Sequence, residues 1–109
     1  MAVEICIVYV TTRDKDEALK ISRHLTEKKL IACANIFDGI LSVYEWEGRL
    51  LEEKEAVIVM KTRKELFADV EKEIKTVHSY TTPCIVSIPM TSASGDFAEW
   101  VMNQTSRRG

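Results

Sequence analysis

Glycine is scarce in this chain, and so are the motifs that depend on it. Four glycines are spread over 109 residues, which leaves little material for a glycine-rich loop around a phosphate or a dinucleotide. The Gly-x-Ser-x-Gly nucleophile motif and the zinc-protease helix motif are also missing from the sequence. We therefore expect a protein that is not an enzyme and that requires no cofactor.

Cysteine is also sparse. Cys6, Cys33 and Cys84 are far apart and form no Cys-x-x-Cys pair. An odd number at such spacings does not suit a disulfide framework. Each of them lies in an apolar stretch, where cysteine often packs as a small hydrophobic side chain. We expect three buried free thiols.

The chain has no excess of one charge. It carries 15 basic and 17 acidic residues, a net charge of -2, so nucleic acid is not expected as a partner and Arg107-Arg108 is interpreted as a solvated tail. No apolar run is long enough to span a membrane. Residues 1–10 contain Glu4 and lack a basic leader, which favours a strand over a secretion signal. We expect no membrane insertion and a cytoplasmic location.

Strand and helix patterns alternate along what we expect to be a single domain, residues 1–109. Runs that are apolar on both faces predict strands, and segments that are apolar on one side predict helices. These elements are a strand at residues 3–11, a helix at 14–29, a helix at 62–77, a strand at 85–90 and a short C-terminal helix. Capping boxes are predicted at the three helix starts, in the pairs Asp14/Glu17, Thr62/Glu65 and Asp96/Glu99.

Between the two main helices, two long extended segments face each other across a tight turn. They cover residues 32–46 and 50–61, about twice the usual strand length of 5–6 residues, and the turn lies at residues 47–49. Gly39 predicts a bend or bulge in the first arm. Asp38-Gly39 alone would also suit a hairpin turn, but the apolar run resumes after it. An arm of this length would project beyond the domain and needs a surface to lie against.

The order of elements predicts the α+β class, as a ferredoxin-like βαββαβ sandwich with a long β2-β3 hairpin and a short C-terminal helix. Right-handed crossovers place both main helices on one face of a four-stranded antiparallel sheet. Residues 3–10 and 56–60 are nevertheless apolar toward both faces. The uncovered face would be a large apolar patch, so we expect the sheet to pack against another copy of the chain.

Four short motifs also occur in a fixed order. They are Leu30-Ile31-Ala32-Cys33-Ala34-Asn35-Ile36, Ser42-x-Tyr44-x-Trp46-x-Gly48, Lys61-Thr62 and His78-x-Tyr80-x-x-Pro83. Together they resemble the CutA family, the divalent-cation tolerance proteins, over about residues 8–101. The resemblance implies a ferredoxin-like homotrimer in which hairpin arms of neighbouring subunits pair. It also implies a role in the tolerance of divalent metal ions, most often copper.

The chain departs from the family at positions that concern metal binding. The family usually has a proline where this chain has Arg13, and a carboxylate where it has Thr81. Some bacterial members end the first strand with a cysteine and place two adjacent histidines before a Pro-Tyr pair. The matching positions here are Val10, Val77 and His78, so the resemblance implies at most a weak copper site at His78.

His78 is thus the candidate metal ligand. Its imidazole suits copper or zinc, and it follows the end of a predicted helix. No second histidine stands at a ligand spacing. The alternative, which we favour, is a histidine that interacts with the C-terminal end of the helix dipole.

Aromatic residues with polar tips suit clefts and interfaces. Tyr44, Trp46, Tyr80 and Trp100 are therefore candidates for an inter-subunit cleft or interface, with simple packing as the alternative. Lys61 is placed in the same cleft, where it would hold an anion at the following helix start or pair with a nearby acid. The nearby acids Glu52, Glu53 and Glu55 are interpreted as a solvated or salt-bridged stretch.

Three other functions stay open at this point. Trimeric ferredoxin-like sensors bind metabolites between subunits, which is an analogy of fold alone. A small hydrolase of the acylphosphatase type shares the order of elements and needs a converging Arg and Asn, for which Arg13 and Asn35 are the candidates. The third is a structural or anchoring protein without a ligand.

Overall fold

The computed structural model describes residues 3–105. In that range the elements follow the predicted order, as β1 Ile5–Thr12, α1 Lys15–Glu27, β2 Cys33–Trp46, β3 Arg49–Arg63, a 3₁₀ turn Lys64–Leu66, α2 Phe67–Val77, β4 Ile85–Pro89 and α3 Gly95–Gln104. None of these helices is long and apolar enough to cross a membrane. The predicted tail at Arg107 and Arg108 lies outside the described residues.

The four strands form one antiparallel sheet in the order β2-β3-β1-β4. This is the predicted ferredoxin-like α+β arrangement, and the fold class is confirmed. β4 ends at Pro89 on an edge of the sheet, where the missing amide hydrogen of proline interrupts no central ladder.

Helices α1 and α2 cover one face of the sheet. Because successive side chains on a strand point to opposite faces, alternate residues of β1 and β3 meet the apolar sides of both helices in one core. Its fully buried members include Val8, Val10, Ala18, Ile21, Leu25, Ile58, Met60, Val70 and Ile74. Each of the Val, Leu, Ile and Met side chains contributes about 1.5–3 kcal/mol on burial, so this layer fixes where the strand ends and their loops lie.

The opposite face of the sheet, which we call the open face, is also apolar. The pairing register places Tyr9 beside both Val59 and Val86, and Phe37 beside Val57. Phe37 is 55% exposed and Val86 is 45% exposed. The prediction of an uncovered apolar face is confirmed, and large exposed patches of this kind mark interaction surfaces.

The predicted start of α1 is confirmed in part. The amide of Glu17 donates to Asp14 Oδ1 over 2.9 Å, which is the expected cap. The Glu17 side chain reaches back as a capping box requires, but it accepts from the amide of Arg13 over 2.8 Å and not from that of Asp14.

The capping boxes predicted for the other two helices are wrong. Thr62 lies inside β3, and its hydroxyl donates to the carbonyl of Leu30 over 2.6 Å, because pairing with β1 continues past this residue. The cap of α3 is Ser94, two residues before Asp96, and its Oγ accepts from the amide of Phe97 over 3.3 Å.

β2 and β3 form the predicted long hairpin, with strands of 14 and 15 residues, and β3 continues to Arg63, past the predicted end at residue 61. Glu47 and Gly48 turn the chain with φ of 51° and 78°, both positive as in the type I′ turns that suit hairpin twist. In the first arm, the register shifts between Phe37 and Ile40. Gly39 has φ of 74° there, so the predicted bulge is confirmed.

The bulge decides which side chains share a face. Beyond an extra residue, the inward and outward positions of a strand exchange. Phe37 pairs with Val57 before the bulge, whereas Tyr44 pairs with Leu51 after it. Tyr44 and Trp46 consequently lie on the same side of the sheet as Phe37, although their numbers differ in parity.

The prediction of three buried thiols is correct only in part. All three cysteines are free, but Cys6 is buried, Cys33 is half-buried and Cys84 is exposed. Burial raises the pKa of the Cys33 thiol, against the opposing effect of Lys61. Cys84 is exposed because it lies in the loop between α2 and β4 and not in a strand or helix that packs into the core.

Two alanine substitutions test the bulge. In Gly39→Ala the new methyl group meets no atom within 4 Å, but the alanine backbone must adopt a φ of 74°. This conformation costs about 1–2 kcal/mol for an L-residue. Gly95→Ala, at the start of α3, also meets open space and has an ordinary φ, so it should be neutral or stabilising by up to about 1 kcal/mol. Chemical denaturation at one protein concentration measures both; equal effects would show that the positive φ carries no cost.

Candidate functional site

An open cavity of about 450 Å³ lies where the hairpin meets the loop after α2. Residues from three separate segments line it. They are Thr11 from β1, Tyr44, Trp46, Leu51 and Glu55 from the hairpin, and Ser79, Tyr80, Thr81, Thr82 and Cys84 from the loop. Tyr44, Trp46 and Tyr80 are thus brought together, as sequence reasoning grouped them. Their role at an interface between subunits stays a prediction.

Glu55 is the charged residue of this cavity. It is only 8% exposed, and the Tyr80 hydroxyl donates a short hydrogen bond to its Oε2. Burial, followed by this hydrogen bond and the negative charge of Glu55, raises the pKa of Tyr80 far above its ordinary value. Tyr80 therefore stays a neutral donor over the whole physiological pH range.

Sequence reasoning missed Glu55, because it placed this residue with Glu52 and Glu53 in a solvated stretch. The available signal was alternation along β3. Glu55 lies two residues from Val57 and so shares its face, whereas Glu52 points to the other face. Glu53 is exposed and accepts the Tyr44 hydroxyl over 2.5 Å, which raises the pKa of Tyr44.

The His78 side chain is fully buried beside the cavity. Its Nε2 lies 2.8 Å from the carbonyl of Thr11, and its Nδ1 lies 3.0 Å from the amide of Tyr80. A carbonyl can only accept and an amide can only donate, so the ring is the neutral tautomer with its hydrogen on Nε2. Both ring nitrogens are therefore engaged by the backbone.

Glu17 completes this layer beneath the loop. Its Oε2 accepts from the amide of Ser79 over 2.7 Å, while Oε1 holds the amide of Arg13. Burial by itself raises the pKa of Glu17, but the hydrogen bonds from these two segments outweigh it and leave the pKa below the ordinary 4.5. One carboxylate thus fastens the loop after α2 to the start of α1.

These residues do not fit a preformed copper centre. Among residues 3–105, no group of three or more His, Cys, Asp or Glu side chains is placed to hold a metal ion. The lone pair of His78 Nδ1 accepts a backbone hydrogen bond, so coordination would require this contact to break. A metal ligand at His78 stays a prediction without support from the geometry.

Lys61 and Trp100 lie apart from the cavity. The Lys61 ammonium donates to the side-chain oxygen of Asn35 on the neighbouring strand, and the expected helix start beside it is wrong because β3 continues. Trp100 stacks on Phe97 in α3, with ring centroids 5.9 Å apart. That helix packs near Ile5, at the other end of β1 from the cavity.

The pair considered for acylphosphatase chemistry is also separated by its contacts. Arg13 pairs with Asp14 over 3.4 Å at the surface, and Asn35 accepts from Lys61. Neither contact directs the two side chains toward a common phosphate, so this alternative gains no support.

Glu17→Gln tests the fastening of the loop. The Gln side chain has one oxygen, so it can accept from only one of the two backbone amides, and its NH2 group faces the other. We therefore expect a loss of about 2 kcal/mol in unfolding free energy at neutral pH. Because the folded-state pKa is lowered, the stabilisation by Glu17 is present above the unfolded-state pKa and is lost as pH falls through the folded-state value. The gap between variant and wild type should close toward acid pH.

Denaturation curves over a pH series measure this gap. Asp16→Asn, which removes an exposed acid one residue away, is the matched control and should follow wild type. A gap that stays constant down to strongly acid pH would contradict the role assigned to Glu17.

Comparison with known proteins agrees with this architecture. The family model for the CutA1 divalent ion tolerance protein matches residues 6–104. The divalent-cation tolerance protein CutA of Archaeoglobus fulgidus is 45% identical over 94 residues, covering 86% of this chain and 91% of that protein.

Solved structures give the same result. The crystal structure of the divalent ion tolerance protein CutA1 from Ehrlichia chaffeensis superposes with a TM-score of 0.91 at 40% identity, covering 98% of this chain and 99% of the other. CutA1 from Oryza sativa gives 0.93 at 32% identity, covering 98% of each chain. Family-model coverage, sequence identity and fold agree over nearly the whole length, and the chain therefore belongs to the CutA family of divalent-cation tolerance proteins.

Proposed function

We propose that this chain is a non-enzymatic homotrimer that contributes to divalent-cation tolerance, with at most a weak affinity for copper. Membership of the CutA family supports the tolerance role. The proposed compartment is the cytoplasm, although the Archaeoglobus fulgidus structure is described as periplasmic and a relative in Arabidopsis thaliana as chloroplastic.

The observation that carries the proposal is the open face of the sheet. Ile88 and Val86 of β4 and Phe37 of β2 are each more than two-fifths exposed, and they flank the central strands on that face. A lone chain would leave this apolar surface in water, at about 25 cal/mol for each Å². Covering it with the same surface of other copies gives a closed assembly. The resemblance to CutA proteins favours three subunits in this assembly.

Phe37→Glu tests self-association. The variant puts a charge on the open face, and burying an unpaired carboxylate in an apolar interface is strongly unfavourable. We expect wild type to show three times the 12.4 kDa chain mass in light scattering after gel filtration, and the variant to shift toward a single chain.

Ala68→Glu is the matched control, because Ala68 is exposed on α2, on the side of the sheet that the helices already cover. It should keep the wild-type mass. Wild-type protein with the mass of one chain at micromolar concentration would contradict the proposed assembly.

Metal affinity is tested by titrating Cu(II) and Zn(II) calorimetrically into wild type, His78→Ala and His78→Gln. Because both ring nitrogens are hydrogen-bonded, we expect the same weak isotherm for all three proteins. The Gln variant can keep one of the two hydrogen bonds if the Ala variant does not fold. A loss of affinity of about tenfold or more, ~1.4 kcal/mol, in each variant that folds would assign the ligand to His78.

A small-ligand sensor is the second candidate function. The cavity favours it, since Tyr44, Trp46 and Tyr80 surround a volume within the range of about 300–1,000 Å³ that small-molecule sites occupy. Because Tyr44, Trp46 and Glu55 lie on the open face, the proposed homotrimer would place this cavity at a contact between copies, where ligand sites are common.

A further inference from the structure

The cavity carries one formal charge. Glu55 is the only Asp, Glu, Lys, Arg or His among its lining residues; the others are aromatic, apolar, hydroxyl or thiol side chains. The Glu55 carboxylate is more than nine-tenths buried, yet the one hydrogen bond it receives within the described chain comes from the neutral Tyr80 hydroxyl. A buried carboxylate ordinarily has a cationic partner or several hydrogen-bond donors, so Glu55 has capacity for one more partner of this kind.

The walls of the cavity also suit a cationic partner. Tyr44 and Tyr80 direct their hydroxyls to carboxylates, Tyr44 to Glu53 and Tyr80 to Glu55. Their rings, together with the half-exposed ring of Trp46, remain as the apolar surface of the site. Aromatic ring faces attract cations, and Trp does so most strongly.

We propose that this cavity binds a small organic ammonium cation, with its positive charge at Glu55 and its apolar body against Trp46, Tyr44 and Tyr80. An anion would find no basic lining residue. A metal ion would find one carboxylate and one thiol, since no group of three or more His, Cys, Asp or Glu side chains is placed to hold a metal ion in residues 3–105. The proposal rests on the sensor alternative and gives it a ligand class; because the lining side chains of the hairpin lie on the open face, it also requires the cavity to stay accessible in the assembly.

Trp46 provides the signal for a direct test. The chain has two tryptophans, so Trp100→Phe, far from the cavity, leaves Trp46 as the sole tryptophan reporter. Choline is the probe, and 3,3-dimethylbutan-1-ol is its uncharged counterpart of the same shape. Choline should give a saturable change in fluorescence with a Kd of ~1 mM or lower, and the alcohol should bind at least about tenfold more weakly.

The charge is tested separately from the shape. Glu55→Gln keeps an acceptor for the Tyr80 hydroxyl, and it should weaken choline binding by about tenfold while leaving the alcohol unchanged. Glu52→Gln removes the same charge from an exposed position on the opposite face of β3 and should bind choline as wild type does. Sodium chloride at equal ionic strength controls for screening.

If Glu55→Gln fails to fold, Trp46→Leu replaces it, since Trp46 is half-exposed, and binding is then measured by calorimetry. We expect choline affinity to fall about two- to thirtyfold, the span of cation–aromatic contacts. Equal binding of choline and the alcohol, preference for acetate, absence of saturation by ~10 mM choline, or unchanged affinity in the folded variants would each overturn the proposal. None of these outcomes alters the mass measured for the assembly, so failure here is distinct from failure of the homotrimer.

Discussion

Two helices cover only one face of a sheet whose central strands are apolar on both faces. In β1, Val8 and Val10 belong to the helix-covered core, while Ile7 and Tyr9 alternate with them on the open face. No rearrangement of a single chain buries both sets, because side chains on a strand alternate with period two. The proposed association of copies follows from this constraint. The long hairpin adds to it, because it extends the same open face beyond the helices.

Gly39 links that constraint to the cavity. The extra residue at the bulge exchanges the two faces of β2, so the aromatic residues of the hairpin tip join the open face. Without it, Tyr44 and Trp46 would lie on the other side of the hairpin from Glu55. A single position with positive φ thereby determines the composition of the site, although it contributes no side chain to it.

Two buried carboxylates next to the loop after α2 behave differently. Glu17 holds one backbone amide on each oxygen, so its hydrogen-bonding capacity is used within the fold and its role is structural. Within residues 3–105, the hydrogen bond to the Glu55 side chain comes from the Tyr80 hydroxyl alone, and the proposed ligand would use the remaining capacity. His78 lies between them as a neutral ring that joins the end of β1 to the same loop. The loop is thus held rigidly on its inner side and presents its other side to the cavity.

Sequence patterns by themselves determined the order of elements, the long hairpin with its turn and bulge, and the presence of an apolar open face. These features depend on local periodicity and on φ preferences, which a sequence displays directly. Sequence patterns also grouped Tyr44 and Trp46 with Tyr80. Only the tertiary structure decided that Thr62 belongs to a strand, that Trp100 lies at the far end of the sheet and that Glu55 is buried. The contact between Glu55 and Tyr80 joins residues 25 positions apart, and packing of the whole sheet, rather than any local preference, sets such distances.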